Sequence, residues 1–183
     1  MLTVITGGMF AEKSTELQRR GKRLKRAGRR VLYVRPDSDT RYSETQLMTH
    51  DGQSVEAITI PIEAPYEIIT AAINYSVVCI DEIQFFNVKM VSVINTLLKQ
   101  GKTVIVAGLD LDYQAEPFLV TSSLMSYAEE VIKLKAVCTN CGEDAWVSHK
   151  EDNGERIELG TDIYKPLCRK CFNYKNRPYK NLK

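Results

Sequence analysis

An apolar run, Leu2-Thr-Val-Ile-Thr6, leads directly into Gly7-Gly-Met-Phe-Ala-Glu-Lys13-Ser14 and then a helix-forming stretch. A strand that ends in a glycine-rich turn and opens a helix has the layout of a phosphate-binding loop. That pattern is Gly, four residues, Gly, Lys, then Ser or Thr. Its backbone N–H groups bend around phosphate oxygens at the positive end of the helix. Lys13 is placed to reach the β- and γ-phosphates of a nucleoside triphosphate, and Ser14 to hold Mg²⁺. The second glycine is missing, and Glu12 stands in its place. A left-handed backbone there costs a non-glycine residue about 1 kcal/mol or more. A carboxylate ~6 Å from a phosphate charge is repelled by roughly 2–3 kcal/mol at an effective dielectric near 20. Turning to solvent, or pairing with Lys13, Arg19 or Arg20, would lessen that penalty.

Such a loop needs a second strand that ends in an acid facing the metal. Val77-Val-Cys-Ile-Asp81-Glu82 supplies it. Asp81 is the expected magnesium partner, and Glu82 is placed to act as a base on an attacking hydroxyl. A strand ending in Asp-Glu is common; the two motifs together, in this order, are much more specific.

Four apolar runs read as buried strands: residues 2–6, 31–35, 77–81 and 103–108. Their continuous apolar character and the helical stretches between them predict an α/β fold with a parallel sheet covered on both faces. Helices are expected over residues 14–27, stopped by Gly28, and over residues 89–99, stopped by Gly101. The cations of the first, Arg19 to Arg26, read as a solvated face rather than a nucleic-acid contact. Residues 35–52 read as a long loop.

The length of 183 residues suits one core with a small appended module. A net charge of +2 does not call for a polyanionic partner. No apolar run is long enough to span a membrane and the first residues do not resemble a signal peptide, so the cytoplasm is the expected location. Cys79 lies within an apolar run and reads as core. The other four cysteines form two knuckles, Cys138-Thr-Asn-Cys141 and Cys168-Arg-Lys-Cys171. Four thiolates at this spacing match a structural tetrahedral Zn²⁺ site, and disulfides do not suit the expected compartment. His149 lies between the knuckles and His50 far upstream; four cysteines leave no place for either as a ligand. The division predicted is residues 1–134 as a P-loop core, 135–175 as a zinc-binding module and 176–183 as a basic, disordered tail. A zinc ribbon can bind nucleic acid, but the inserted loop, with Glu143, Asp144, Glu151, Asp152, Glu155, Glu158 and Asp162, is acidic and reads phosphate backbones poorly.

Taken in order, these pieces resemble the zinc-containing, cellular type of thymidine kinase. Residues 7–17 are similar to that family's Gly-Pro-Met-Phe-Ser-Gly-Lys-Ser-Thr-Glu-Leu, and Ile80-Asp-Glu-Ile-Gln-Phe-Phe86 to its Ile-Asp-Glu-x-Gln-Phe-Phe. Asp39-Thr-Arg-Tyr42, Thr49-His-Asp-Gly52, Ala107-Gly-Leu-Asp110, Pro117-Phe118, Lys133-Leu-Lys-Ala-Val-Cys138 and the knuckles follow. The resemblance implies a RecA-like P-loop sheet with a zinc-stapled lasso. It also implies transfer of the γ-phosphate of ATP to the 5′-hydroxyl of thymidine or deoxyuridine, in deoxynucleotide salvage. Glu82 would be the general base and Arg41 a second catalytic group. Gly7, Gly8, Met9, Phe10, Ala11, Glu12, Lys13, Ser14, Asp39, Asp81 and Gln84 would form the ATP side, with Ser14 and Asp81 on Mg²⁺. Met9, Phe85, Leu109, Tyr113, Phe118, Ile157, Leu159, Gly160 and Tyr164 would line the nucleoside site. A homotetramer and feedback inhibition by dTTP are implied, with no nucleic-acid or membrane partner. Gly8 in place of the family's proline is expected to loosen the turn. Glu12 leaves open a catalytically impaired relative that binds nucleoside or nucleotide without efficient transfer. A zinc-ribbon nucleic-acid-binding ATPase is the remaining alternative.

Overall fold

The computed structural model describes residues 1–38, 46–48, 54–150 and 163–176. Along the chain run β1 (Leu2–Thr6), α1 (Lys13–Arg26), β2 (Val31–Pro36), β3 (Gln46–Met48), β4 (Ser54–Glu56), β5 (Ile58–Ile60) and α2 (Glu67–Ala71). Then come β6 (Val77–Ile80), a single 3₁₀ turn (Ile83–Phe85), α3 (Lys89–Lys99), β7 (Thr103–Gly108), α4 (Leu119–Tyr127) and β8 (Glu130–Lys133). The cysteine-bearing end adds β9 (Val147–His149), β10 (Lys165–Leu167) and α5 (Arg169–Lys175).

Among the described residues there is one six-stranded sheet, in the order β5-β2-β6-β7-β1-β8. Every pairing in it is parallel. The strand period of two divides its side chains between two cores. Val4, Val34, Val78, Ile80, Val104 and Val106 enter one, with Ile68 of α2, Met90, Val93, Ile94 and Leu97 of α3, and Leu124 of α4. Ile5, Tyr33, Val77, Cys79, Ile105 and Ala107 enter the other, beneath Leu17 of α1. A sheet buried on both faces explains why its strands read as unbroken apolar runs.

The helices follow from local chemistry. Met90, Val93, Ile94 and Leu97 recur at helical spacing and form the buried stripe of α3. In α1, a Cβ on Gly21 would run into the Tyr33 ring, so glycine lets this helix lie close on β2. Arg23, Lys25 and Arg26 crowd the last turn of α1, where cations complement the helix dipole, and Gly28 turns the chain away at φ 78°.

The four strands expected from sequence are present. The structure adds β5 and β8 at the two edges. β8 alternates half-buried and exposed residues, Glu-Val-Ile-Lys, and so lacks the unbroken apolar signature. β3 falls within the stretch expected to be one long loop and pairs antiparallel with β4, just beyond it. A third cluster lies beyond the sheet and joins Ala136, Cys138, Ala145, Val147, Leu167, Cys168 and Cys171. Ala11 of the glycine-rich loop belongs to this cluster, 4% exposed. No helix among the described residues is long and apolar enough to cross a membrane.

Candidate active site

The chemistry-bearing residues gather where β1, β6 and β7 end, the carboxyl edge at which open parallel sheets hold ligands. After β1 the chain turns through Gly7 at φ 139°. A Cβ there would collide with the Leu134 carbonyl, so glycine is required. Phe10 at φ 63° and Glu12 at φ 57° are both left-handed, a conformation costly for side-chain-bearing residues. Glu12 sits at the N-cap of α1 without capping it and faces solvent. Arg19 and Arg20 do not pair with it; both bond Glu16, and Arg20 also reaches Glu130 on β8. Arg19 foremost holds the Glu16 carboxyl down at about 2. Lys13 Nζ donates to the Gly8 carbonyl at 2.7 Å, folded back over the loop it follows.

Asp81, just past β6, is 3% exposed and accepts a hydrogen bond from the Ser14 hydroxyl. Burial, then the neighbouring charge of Glu82, pushes its carboxyl up to about 7, against the bond from Ser14 and the charge of Lys13. The hydroxyl and the acid proposed for one metal ion are thus already in contact. Glu82, left-handed at φ 49°, accepts from Gln84 Nε2 at 2.6 Å. Gln84 Oε1 in turn accepts from the Leu109 amide at 3.0 Å. Gly108 makes this relay possible, since a Cβ there would overlap Gln84 and Ile83. The relay fixes the position of the Glu82 carboxylate from the end of β7.

Of the residues expected at the nucleoside, Phe85 and Leu109 are half-buried beside this relay. Tyr113 and Phe118 are buried on the segment after β7, which closes on itself through the Leu111–Pro117 bridge. Asp112 Oδ1 accepts there from the amides of Gln114 and Glu116. Tyr164 is half-buried and precedes β10. Asp39, Arg41, Ile157, Leu159 and Gly160 lie outside the described residues, as does His50.

Three features escaped the sequence reading. The buried carboxylate of Asp110 meets Lys133 Nζ at 2.6 Å as an ion pair, although neither of its oxygens makes an aligned hydrogen bond. Lys150, 2% exposed, lies over the Tyr113 ring at 4.9 Å. Ser148, 3% exposed, accepts from the Met9 amide at 2.6 Å. Ser148 and Lys150 sit in a stretch that reads as polar loop, so nothing in their local pattern marks them.

The four Sγ atoms of Cys138, Cys141, Cys168 and Cys171 lie within 4.8 Å of one another. A tetrahedral Zn²⁺ with bonds of about 2.3 Å needs sulfur atoms roughly 3.8 Å apart. Cys141 and Cys168 are already 3.6 Å apart, so the cluster could hold zinc. Burial opposes ionisation of Cys138, yet N–H groups of Cys168, Asn140 and Cys141 bring its thiol down to about 6. Around the cluster, Arg169 stacks 3.5 Å over Trp146, and Phe172 meets Trp146 and His149 edge-on. His149 is not one of the clustered ligands.

The family model described as thymidine kinase matches residues 1–172. The chain belongs to the thymidine kinase family. Similar members include the thymidine kinase of Bacteroides fragilis (strain YCH46), 42% identical over 93% of this chain and 86% of that one. The thymidine kinase of Pyrobaculum aerophilum is 41% identical over 94% and 98%, and that of Coprothermobacter proteolyticus 44% identical over 91% and 87%. The chain also shares its fold with the flagellar accessory protein FlaH of Methanocaldococcus jannaschii. The TM-score is 0.50 at 16% identity, over 78% of this chain and 74% of that one.

Proposed function

We propose that the protein transfers the γ-phosphoryl group of ATP to the 5′-hydroxyl of thymidine or deoxyuridine, in deoxynucleotide salvage. The observation that carries this reading is the joint placement of the Ser14–Asp81 contact and the Gln84-aimed carboxylate of Glu82 at the end of β6. Glu82 takes the proton of the 5′-hydroxyl as the oxygen bonds to phosphorus and ADP leaves. Lys13 trades the Gly8 carbonyl for the phosphates and balances their charge. Ser14 and Asp81 are the residues that would hold Mg²⁺, which would neutralise phosphate charge when bound with ATP. Asp39 and Arg41 are assigned to the phosphate side. Met9, Phe85, Leu109, Tyr113, Phe118, Ile157, Leu159, Gly160 and Tyr164 are assigned to the nucleoside. Gly7, Gly8, Phe10, Ala11 and Glu12 complete the phosphate loop. The four cysteines hold a structural zinc ion that staples the module over residues 135–175. Membership of the family further supports a cytoplasmic homotetramer inhibited by dTTP; the exposed apolar Leu119 and Tyr127 of α4 suit a subunit contact.

A second reading, an impaired relative, is favoured by one observation: Glu12 does occupy the left-handed backbone that a glycine would hold without strain. Against it, the carboxylate faces solvent and the surrounding groups are in place. Incubating the zinc-loaded protein and its Glu12→Gly variant with ATP, thymidine and Mg²⁺, and measuring thymidine monophosphate, separates the two. Robust and equal rates sink the impaired reading; a rate that appears only once glycine is restored sinks the active one.

A further inference from the structure

Ser148 lies on β9, in the cysteine-bearing module, yet its hydroxyl acts on the phosphate loop. Its Oγ accepts from the Met9 amide at 2.6 Å. The carbonyl of that same peptide unit, Gly8 O, accepts from Lys13 Nζ at 2.7 Å. One peptide of the loop is therefore gripped from both sides, by a serine of the module and by the lysine of its own helix. The two grips have different fates. A lysine that turns toward a phosphate can slacken its bond to the Gly8 carbonyl, whereas the bond from the Met9 amide to Ser148 does not depend on that turn.

We propose that Ser148 is a positioning residue that keeps the Gly8–Met9 peptide of the phosphate loop in place while Lys13 moves from the loop carbonyl to nucleotide phosphate. The hydroxyl is suited to this task. Ser148 is 3% exposed, so water competes poorly for the Met9 amide. Glycine opposite eases the contact, because a Cβ on Gly8 would stand 3.0 Å from Ser148 Oγ and one of the two would have to give way. Glycine at position 8 therefore admits the serine rather than merely loosening the turn. The module is fixed to the same loop a second time through Ala11, which sits in its apolar cluster. A short side chain on a buried strand is thus held rigidly enough to hold its partner.

The proposal rests on the reading that this loop binds ATP, and its test separates the two. Ser148→Ala, Ser148→Thr and Ser148→Val are made in the full, metal-loaded chain. Steady-state KM for ATP and for thymidine, metal content, and hydrogen exchange at the Met9 amide without nucleotide are measured. Loss of one buried hydrogen bond predicts that Ser148→Ala raises the KM for ATP and the Met9 exchange rate about three- to tenfold. The metal content should stay within about twofold of the parent, and any rise in the KM for thymidine, which Met9 is also assigned to face, should be smaller than the rise for ATP. Threonine keeps the parent behaviour and valine does not. Unchanged exchange and KM for ATP in the alanine variant overturn the proposal, as does a change confined to thymidine. Should the alanine variant fail to fold, threonine and valine, which share a shape and differ in the hydroxyl, decide it, and equal behaviour of that pair overturns the role. If the parent protein does not bind ATP, the functional reading falls, and the Met9 exchange comparison still upholds or overturns the anchor.

Discussion

The parallel sheet and the cysteine module are stabilised by different means. The sheet buries an unbroken apolar core on each face, with Val4, Val78, Val104 and Ile94 fully inaccessible. The module has a small buried cluster of alanines, cysteines, Val147 and Leu167, with Trp146 and Phe172 only partly buried against it. What it has besides is four thiols within 4.8 Å of one another. Hydrophobic burial suffices for the first region, whereas the second has a thiol cluster that a bound metal would tie together. The comparison teaches where the site is vulnerable, since the phosphate loop touches both regions.

The largest effect sharpens the comparison from the side of the core. Glu82→Gln should lower kcat by about 10²- to 10⁴-fold, the usual worth of a positioned base. Melting temperature and metal content should stay unchanged, and an active variant would remove Glu82 from the chemistry. Breaking the module instead, by Cys168→Ser or chelation, should abolish most activity. Amide exchange should then rise across β9, β10 and α5 while β1, β6 and β7 stay protected. Simultaneous loss of protection in the sheet would show that the two regions fold as one.

The third effect belongs to the core alone. The Asp81 carboxyl is raised from 3.8 to about 7 in the folded chain, so the native state holds a proton that the unfolded state releases. Its contribution to stability is greatest below about pH 4 and is lost as pH rises to about 7. Asp81→Asn should remove that decline, on the order of a few kcal/mol. Denaturant unfolding of both proteins at pH 5.5 and pH 8 reads it. A parallel pH dependence in the variant would move the effect elsewhere. The smallest effect sits on the shared loop. Glu12→Gly relieves a left-handed side chain and should stabilise the protein by about 1 kcal/mol. Equal denaturation midpoints would mean that the strain is offset elsewhere.

The sequence showed the central strands because burial on both faces leaves an apolar run, as in Val77-Val-Cys-Ile80. It missed β8, whose edge position admits Glu130 and Lys133. It showed the phosphate loop and the Asp81–Glu82 pair because each needs particular residue types at fixed spacing. The strain at Glu12 was also legible, since a turn of this pattern asks for a left-handed backbone at that position whichever residue occupies it. Gln84 was named as a site residue, but its relay from Leu109 to Glu82 was not, because three segments meet there only after folding. Ser148 and Lys150 were hidden for the same reason. A short polar strand shows no periodicity, and its burial is conferred by partners far away in sequence.

Ala11 has a consequence of its own. A single methyl group is a member of the metal module's interior while its backbone belongs to the loop that would carry the nucleotide. If the cysteines hold a metal and the loop a nucleotide, the two ligands share this packed contact. If holding the loop in its packed position favours either, thermodynamic reciprocity requires each to raise the affinity of the other by the same factor. Depletion of one in the cell would be felt as weakened capture of the other.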